Sequence, residues 1–290
     1  MCQRLHARVG VRVGGRHLGA EPLQHQRGTN GWYTQPVSAA VSATDAGSGV
    51  AETRCALDPA SMPTSFDDLA AGCPFLGTGA PISGDGIHVL YAASRDSAGL
   101  LDPPVGRTIR VDGTDPELSC RQAAFVLGGT GSVVADVSDA SSGPASATAS
   151  AGADTSSVGA RSVSLTAWDL AGNSAIATCP YVVGYDVVGP IGLKSAYRAG
   201  SVVPVRIGLA AASGARISDA SAATVAGACG VRAAVRGGAW ACATYDGRTD
   251  EFVVALRSSR AQALGAATLV VEVREGEVVV NTLEATITFR

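Results

Sequence analysis

Residues Arg161-Ser-Val-Ser-Leu-Thr-Ala-Trp168 alternate apolar and polar side chains, with Val163, Leu165 and Ala167 on one parity. An alternation of period two is typical of a β-strand that buries one face and exposes the other. The next five residues, Asp169-Leu-Ala-Gly-Asn173, are of the types that form tight turns. The stretch therefore predicts a half-buried strand that ends in a turn.

The same pattern continues through most of the chain. From Gly31 onward, short β-branched runs are separated by clusters of glycine, proline, aspartate and serine. Apolar residues at 269, 271 and 273, and again at 283, 285, 287 and 289, alternate with mostly polar ones on either side of a Glu-Gly turn, which predicts a terminal hairpin. No long helical period competes with this pattern. The predicted fold class is all-β, with tandem small immunoglobulin-like β-sandwich domains that carry disulfides.

An internal repeat relates two parts of the chain. Asp45-Ala-Gly-Ser-Gly49 matches Asp139-Ala-Ser-Ser-Gly143, and residues 86–99 match residues 159–172, with ten residues from glycine to aspartate in both copies. The first copy is longer between its two motifs, and the additional residues contain two of the cysteines. We therefore expect a disulfide there to fasten an elaborated loop.

Two turn-rich segments, Asp112-Gly-Thr-Asp-Pro116 and Tyr185-Asp-Val-Val-Gly-Pro190, are the predicted joints between domains. A chain of 290 residues also has the length of two or three domains. The predicted organisation is a non-globular or misassigned leader (1–30), an immunoglobulin-like sandwich (31–114), a second such sandwich (115–184) and a C-terminal β domain (185–290).

Seven cysteines and an aromatic content of only 5% favour small cores that are crosslinked by disulfides. No pair has CxxC spacing and no cysteine has histidines at zinc-finger spacing, so a metal site is the weaker interpretation. Disulfides imply an oxidising setting, which is extracellular or cell-wall-associated. Cys2 is left over, and the expected pairs are Cys55 with Cys73, Cys120 with Cys179, and Cys229 with Cys242.

The first 30 residues differ from the rest because they hold five arginines against one acidic residue, Glu21, a formal charge of +4. A basic arm of this kind could bind nucleic acid, but it lacks lysine and interleaved aromatic residues, so we expect no nucleic-acid partner. Residues 1–27 form no apolar segment of the signal-peptide type. The sequence predicts no membrane span.

The two repeats resemble bacterial immunoglobulin-like domains of multidomain surface and secreted proteins. The first opens with Gly31-Trp-Tyr-Thr-Gln-Pro-Val37, similar to the Gly-Trp-Tyr opening of one such class, but has Leu100 where asparagine is usual. The second keeps the whole ending at 169–173, followed by Cys179-Pro-Tyr-Val-Val183, and also resembles the hyalin-repeat sandwich. These motifs are turn chemistry, so the resemblance implies a fold more than a function.

Residues 185–290 resemble a domain family named for its Pro-x-Lys-Phe motif, found near the C-termini of secreted bacterial proteins. The match runs from Lys194 to Leu209, with Arg206 and Ile207 in place of the lysine and phenylalanine of the motif. None of the resembled families supplies a catalytic apparatus that could be carried over to this chain.

The residues themselves predict no enzyme. A hydrolytic triad needs a histidine beside an activated nucleophile, and beyond residue 30 the only histidine is His88. Its parity with Leu90 and Ala92 predicts a hydrogen-bonded histidine on the half-buried face of a strand. There is no GxSxG elbow, phosphate-binding loop or dinucleotide fingerprint, and paired acids such as Asp67 and Asp68 are expected in solvated loops.

Calcium is the metal that the aspartates could bind, because it prefers oxygen ligands and these residues cluster at predicted strand ends and joints. The alternative is that each aspartate caps its own turn, in which case no cofactor is needed. The candidate ligands are Asp45, Asp96, Asp112, Asp115, Asp139 and Asp169.

A tryptophan is the other candidate for binding. Trp168 has the parity of the polar face of its strand, so it is expected to project into solvent, a position from which an indole can stack on a sugar ring. Trp32 is expected to be a core or interdomain plug, and Trp240 to cover the nearby disulfide of Cys242.

The sequence thus indicates a non-enzymatic extracellular structural or adhesive array that acts as a stalk or interaction module of a larger secreted or cell-wall-associated protein. The alternative is an accessory carbohydrate-binding region of a secreted hydrolase. Expected partners are a cell-wall or extracellular polysaccharide or a surface protein, and the chain is expected to be a monomer.

Overall fold

A computed structural model describes residues 28–259 and 262–290, together with the backbone of residues 6–12. Strands make up most of this part of the chain, and the strands pair into six sheets. The predicted fold class, tandem small immunoglobulin-like β-sandwiches with disulfides, is confirmed.

The first sandwich pairs a four-stranded sheet of order β2-β7-β6-β4 with a three-stranded sheet of order β1-β3-β5. One strand, β1, lies within the predicted leader and pairs antiparallel with β3. The strands are β1 (His6–Arg12), β2 (Trp32–Tyr33), β3 (Val37–Thr44), β4 (Val50–Leu57), β5 (Ala80–Ile82), β6 (Gly86–Asp96) and β7 (Val105–Val111).

The core of this sandwich comes from the apolar parity of strands in both sheets. Val37 and Val41 of β3 face Leu90 of β6 and Ile109 of β7, and all four are buried. The loop after β4 forms a second, smaller cluster, in which Phe66 packs on the opposite face of the sheet. The predicted elaborated loop therefore covers a face that would otherwise be open to solvent.

The second predicted sandwich consists of two three-stranded sheets, of order β11-β10-β8 and β12-β13-β9. The short strand β9 runs parallel to β13, and β10 is the central strand of the other sheet. The strands are β8 (Glu117–Cys120), β9 (Ala124–Val126), β10 (Ser132–Ser138), β11 (Thr148–Gly152), β12 (Gly159–Trp168) and β13 (Ser174–Gly184).

The C-terminal β domain has a four-stranded sheet, β14-β16-β20-β19, and a five-stranded sheet, β15-β22-β21-β17-β18. The predicted terminal hairpin is formed by β21 and β22. The strands are β14 (Asp186–Val188), β15 (Ala196–Tyr197), β16 (Val202–Ala210), β17 (Val231–Val235), β18 (Ala241–Cys242), β19 (Thr244–Asp246), β20 (Glu251–Arg257), β21 (Gly265–Glu275) and β22 (Val278–Phe289).

One α-helix, α1 (Asp219–Gly227), interrupts this β domain and was not expected from the sequence. Ser218 caps its N-terminus by accepting a hydrogen bond from the backbone nitrogen of Ser221. Alanine has the highest helix propensity, and the segment is rich in it. A nine-residue helix is too short for its periodicity to stand out against the flanking strands.

Contacts along the chain group the residues into two compact units. Of the described residues, the first contains those up to 118 together with 136–149 and 166–176, and the second contains those in 119–135, 150–165 and 177–290. The strands of the second predicted sandwich are thus divided between the units. The division at 31–114, 115–184 and 185–290 stays a prediction.

Candidate functional site

Three aspartates at three strand ends lie close together within the first unit. Asp112 follows β7, Asp139 follows β10 and Asp169 follows β12. Their nearest carboxylate oxygens all lie within 4.8 Å of one another. Asp112 is fully buried and Asp169 is 3% exposed, whereas Asp139 is half-buried. The strand topology therefore assembles a compact acidic group from residues far apart in sequence.

Two of these carboxylates close the turns in which they stand. Asp139 Oδ1 accepts a hydrogen bond from the backbone nitrogen of Gly143 at 2.7 Å. Asp169 Oδ1 accepts from the backbone nitrogens of Gly172 at 2.6 Å and Asn173 at 2.8 Å. These are the local side-chain-to-backbone bonds that stabilise turns begun by aspartate.

The side chain of Asn173 links its turn to the segment after β7. Its amide nitrogen lies 2.9 Å from the carbonyl oxygen of Asp112, 3.1 Å from that of Thr114 and 2.7 Å from Asp169 Oδ2. The backbone nitrogen of Ser142 donates to Asp112 Oδ2 at 2.9 Å. Two turns of the second repeat thus hold the predicted joint at 112–116 through specific hydrogen bonds.

The remaining aspartates of the calcium hypothesis are not members of this group of three. Asp45 Oδ2 accepts from the backbone nitrogen of Gly49 at 2.7 Å, and Asp96 Oδ1 accepts from that of Leu100 at 2.7 Å. Each of the two closes its own turn. Asp115 is exposed in the joint. The structure therefore brings together three of the six candidate ligands.

The grouped carboxylates have two chemical consequences. Three oxygens at this separation have the chemistry of ligands for a hard cation such as Ca²⁺. Like charges held this close also repel one another when no cation is bound. The same carboxylates cap turns and fix the joint, so the group has a structural role that requires no ion.

The three tryptophans occupy different environments. Trp32 is 7% exposed in β2, within the first sandwich. Trp168 is 55% exposed at the end of β12, on the face that its parity indicates, and Ile176 of the neighbouring strand β13 is exposed as well. Trp240 is 40% exposed, and the guanidinium carbon of Arg232 lies 4.4 Å from the centroid of its indole.

His88 is held by two hydrogen bonds and has a structural role. Its Nδ1 lies 2.7 Å from Asp58 Oδ2 and its Nε2 lies 2.8 Å from the carbonyl oxygen of Gly84. Asp58 also accepts a hydrogen bond from the backbone nitrogen of Val89 at 2.6 Å. Both ring nitrogens are thereby engaged with acceptors, and the histidine fastens the loop after β4 to strand β6.

The structure forms three disulfides with Cα–Cα distances of ordinary size. Cys55–Cys73 spans 4.9 Å, Cys120–Cys179 spans 5.4 Å and Cys229–Cys242 spans 5.0 Å. The second bond joins β8 in one sheet to β13 in the other, so it ties the two sheets together. Within the described part of the chain, no helix has the length and apolar character needed to cross a membrane.

Two contacts could not be found from the sequence. Asn173 was recognised as part of a turn motif, but its acceptors at Asp112 and Thr114 lie 61 and 59 residues away. The stacking of Arg232 on Trp240 depends on the pairing of β17 with β18, which no local pattern reports. The sequence does show one difference that marks Asn173: the matching position of the first repeat is Leu100, which has no side-chain hydrogen-bond donor.

No protein-family model matches this chain, and no curated protein matches it. Among solved structures, an I-band fragment of titin is similar over 88% of this chain and 91% of that chain, with 9% identity and a TM-score of 0.31. An ectodomain fragment of ICAM-5 is similar over 99% of this chain and 77% of that one, with 15% identity and a TM-score of 0.34.

A third similar structure is SGBP-B of the Bacteroides ovatus mixed-linkage glucan utilization locus, solved with a mixed-linkage heptasaccharide. It is 14% identical to this chain, with 98% of this chain and 70% of that chain covered and a TM-score of 0.22. Similarities at this level assign no role to the present chain.

Proposed function

We propose that this chain is a non-enzymatic extracellular array of β-sandwiches that acts as a stalk or adhesive module of a secreted or cell-wall-associated protein. The three disulfides support an oxidising location. The short joint at 112–116 supports a spacer, because a flexible linker would be longer and free of specific side-chain bonds.

The observation that carries the proposal is the set of hydrogen bonds that Asn173 and Ser142 make to the joint. A stalk must transmit its orientation from one module to the next, and fixed joints do this where free linkers do not. Since the second repeat supplies the donors, the joint is ordered by folding of the array itself.

The test is hydrogen–deuterium exchange of the full oxidised chain and of Asn173→Leu. Leucine is the residue at the matching position of the first repeat, so the variant keeps a side chain that this type of turn accommodates. We expect backbone amides at 112–118 to exchange about fivefold faster in the variant, since losing a partly buried hydrogen bond costs about 1 kcal/mol. The control is Leu100→Asn, which lies in the other turn and is expected to leave the joint unchanged.

Exchange at the joint that is as fast in the wild type as in an unstructured peptide would contradict the stalk proposal. The same purified chain, assayed for glycosidase, esterase and protease turnover, is expected to show none. Turnover that follows the protein through purification would overturn the non-enzymatic part of the proposal.

A second candidate function is the accessory carbohydrate-binding region, and the exposure of Trp168 favours it. The measurement is a pull-down of the oxidised chain on insoluble polysaccharides and peptidoglycan, with Trp168→Ala alongside. Binding that is lost in the variant supports this candidate, whereas no binding by either protein rejects it.

A further inference from the structure

A cleft of about 410 Å³ lies on the outer face of the five-stranded sheet of the C-terminal domain. Such a volume is in the range of small-molecule sites. All of the lining residues belong to the second unit. The side chains that give the cleft its chemistry are Arg236, Trp240, Glu272, Thr282 and Glu284.

Strand register places the polar side chains in rows across β17, β21 and β22. Glu272 is paired with Arg232 on one side and with Thr282 on the other. Val270 is paired with Ala234 and Glu284 in the next row. Residues that are paired in this way project from the same face of a sheet. The floor of the cleft is therefore a continuous, mostly polar surface.

The loop between β17 and β18 forms one wall. Ala234 is only 2% exposed although it lies on the outer face, and it lines the cleft together with Arg236, Gly237, Gly238 and Trp240 of this loop. Arg232 stacks on the indole of Trp240 and donates two hydrogen bonds to Glu272 Oε2, at 2.9 Å and 2.6 Å. The stacked guanidinium fixes one side of the indole, while part of the ring remains in solvent.

A disulfide holds this wall in place. Cys242 lies two residues after Trp240, pairs with Arg232 across the strands and is bonded to Cys229. Positioning the indole before a ligand arrives lowers the entropy cost of binding. The cleft is thus a preformed site rather than a gap between mobile side chains.

The charges around the cleft cancel. Arg232 bonds Glu272, and Arg236 bonds Glu284, so two cations balance two carboxylates. Arg232 bonds Glu272 through Oε2 and Arg236 bonds Glu284 through Oε1, so the second oxygen of each carboxylate lies outside these ion pairs and can accept from a ligand. A site with no net charge, several acceptors and an exposed indole matches an uncharged ligand that has many hydroxyl groups and an apolar ring face.

A peptide fits this site less well. Peptides that bind to sheets usually add a strand at an open edge. Beneath the cleft, β21 is paired with β17 on one side and with β22 on the other, so its backbone groups are engaged within the sheet. A ligand on this face must be recognised by side chains alone.

We propose that this cleft binds a neutral polysaccharide, with one pyranose ring stacked on Trp240 and its hydroxyl groups hydrogen-bonded to Glu272, Glu284 and Thr282. The proposal goes beyond the stalk function and does not depend on it. It also differs from the candidate at Trp168, because that residue belongs to the other unit.

The test is affinity gel electrophoresis of the full oxidised chain in native gels that contain a soluble α-glucan, β-glucan, xylan or galactomannan. We expect at least one of these neutral polymers to retard the protein. Trp240→Ala should weaken the retardation about tenfold or more, since losing one stacked aromatic contact costs on the order of 1.5 kcal/mol. Leu264→Ala removes an exposed apolar side chain outside the cleft and is the control, which should be retarded like the wild type. Trp168→Ala is run alongside to separate this cleft from the candidate at Trp168.

Two further measurements keep the test independent of folding defects. Glu284→Gln keeps the shape of the side chain and should still weaken binding, because it disturbs the ion pair with Arg236 and the acceptor set. In Trp168→Phe the only exposed indole among the described residues is Trp240, so binding of the polymer should change the tryptophan fluorescence of this variant.

No retardation by any neutral polymer overturns the proposal, as does binding that is lost in Trp168→Ala but kept in Trp240→Ala. A further gel contains polygalacturonate, an acidic polymer, and retardation in that gel alone also overturns the proposal.

Discussion

At the scale of single residues, His88 provides a pH-dependent contact in the first sandwich. Burial lowers the pKa of His88, but the hydrogen bonds to Asp58 and to the carbonyl oxygen of Gly84 outweigh it, so that the pKa is raised above 6.5 in the folded protein. The protonated ring donates to both acceptors at once. Folding is therefore favoured by protonation of this residue.

The contribution of His88 to stability should be fully present below its unfolded-state pKa of about 6.5 and should disappear as the pH rises through the higher folded-state value. We expect the melting temperature of the wild type to fall between pH 5 and pH 8 relative to that of His88→Gln, whose side chain does not titrate. Thermal melts of both proteins at several pH values provide the measurement. Parallel pH profiles would contradict the assigned role.

The tryptophans make a matched pair for stability because one is buried and the other exposed. Trp32→Ala should lower the free energy of unfolding by about 3–5 kcal/mol, since it removes a large buried side chain. Trp168→Ala should change it by no more than about 0.5 kcal/mol, as is usual for exposed positions. Chemical denaturation curves of the two variants test this. Equal losses of stability would be inconsistent with a buried Trp32 and an exposed Trp168.

The sequence predicted the exposure of Trp168 because alternation along a strand is a local property. It could not predict that Asp112, Asp139 and Asp169 come together, since that depends on three strands that end at the same place. The six candidate ligands looked equivalent in the sequence, and only the topology separates the grouped aspartates from Asp45 and Asp96, which close their own turns.

At the scale of elements, the carboxylates of Asp112, Asp139 and Asp169 lie where three strands end. Asp139 and Asp169 cap their own turns, and the three charges repel one another. In Asp139→Asn the side-chain oxygen can still accept the hydrogen bond from Gly143, while one of the repelling charges is removed. We therefore expect the variant to be at least as stable as the wild type in the presence of a chelator. Melting temperatures in excess chelator measure this effect.

The calcium hypothesis adds a second expectation to the same experiment. If the three carboxylates bind the ion, calcium raises the melting temperature of the wild type by mass action and raises that of Asp139→Asn less. Coincident wild-type melts in calcium and in chelator would reject the hypothesis and leave turn capping as the whole role of the group.

Strands were predictable where one face is buried, and less so where structure depends on distant partners. The hairpin of β21 and β22 follows the alternation at 269–273 and 283–289, and its apolar positions point inward. Helix α1 is too short to be predicted from its period, and the three residues of β9 form a strand through parallel pairing with β13, which no local pattern indicates. Short elements carry too few residues for a period to be visible.

At the scale of the whole molecule, disulfides add to the stability that several separate hydrophobic cores provide. Small sandwiches with few aromatic residues bury limited apolar area, so disulfides supply part of their stability. The Cys120–Cys179 bond closes a loop of 59 residues, for which the chain-entropy model gives about 4 kcal/mol. It also joins the first strand of the second predicted sandwich to its last strand.

This arrangement suits a protein that carries tension along its chain. Force applied to the two ends passes through the disulfide, and the residues between Cys120 and Cys179 lie outside the loaded path. A stalk built in this way lengthens little even when the second sandwich unfolds. The cysteine spacing predicted the bond, and the mechanical role that the stalk proposal gives it rests on its position at the two ends of that sandwich.

The most direct test of the load path on which the stalk account depends is single-molecule stretching of the full chain in oxidising buffer and after reduction. The account predicts that the oxidised chain never releases the segment between Cys120 and Cys179, and that reduction adds about 200 Å of contour length, from the sequence separation of 59 between the two cysteines. An oxidised chain that already extends by the full length of this segment would contradict the account.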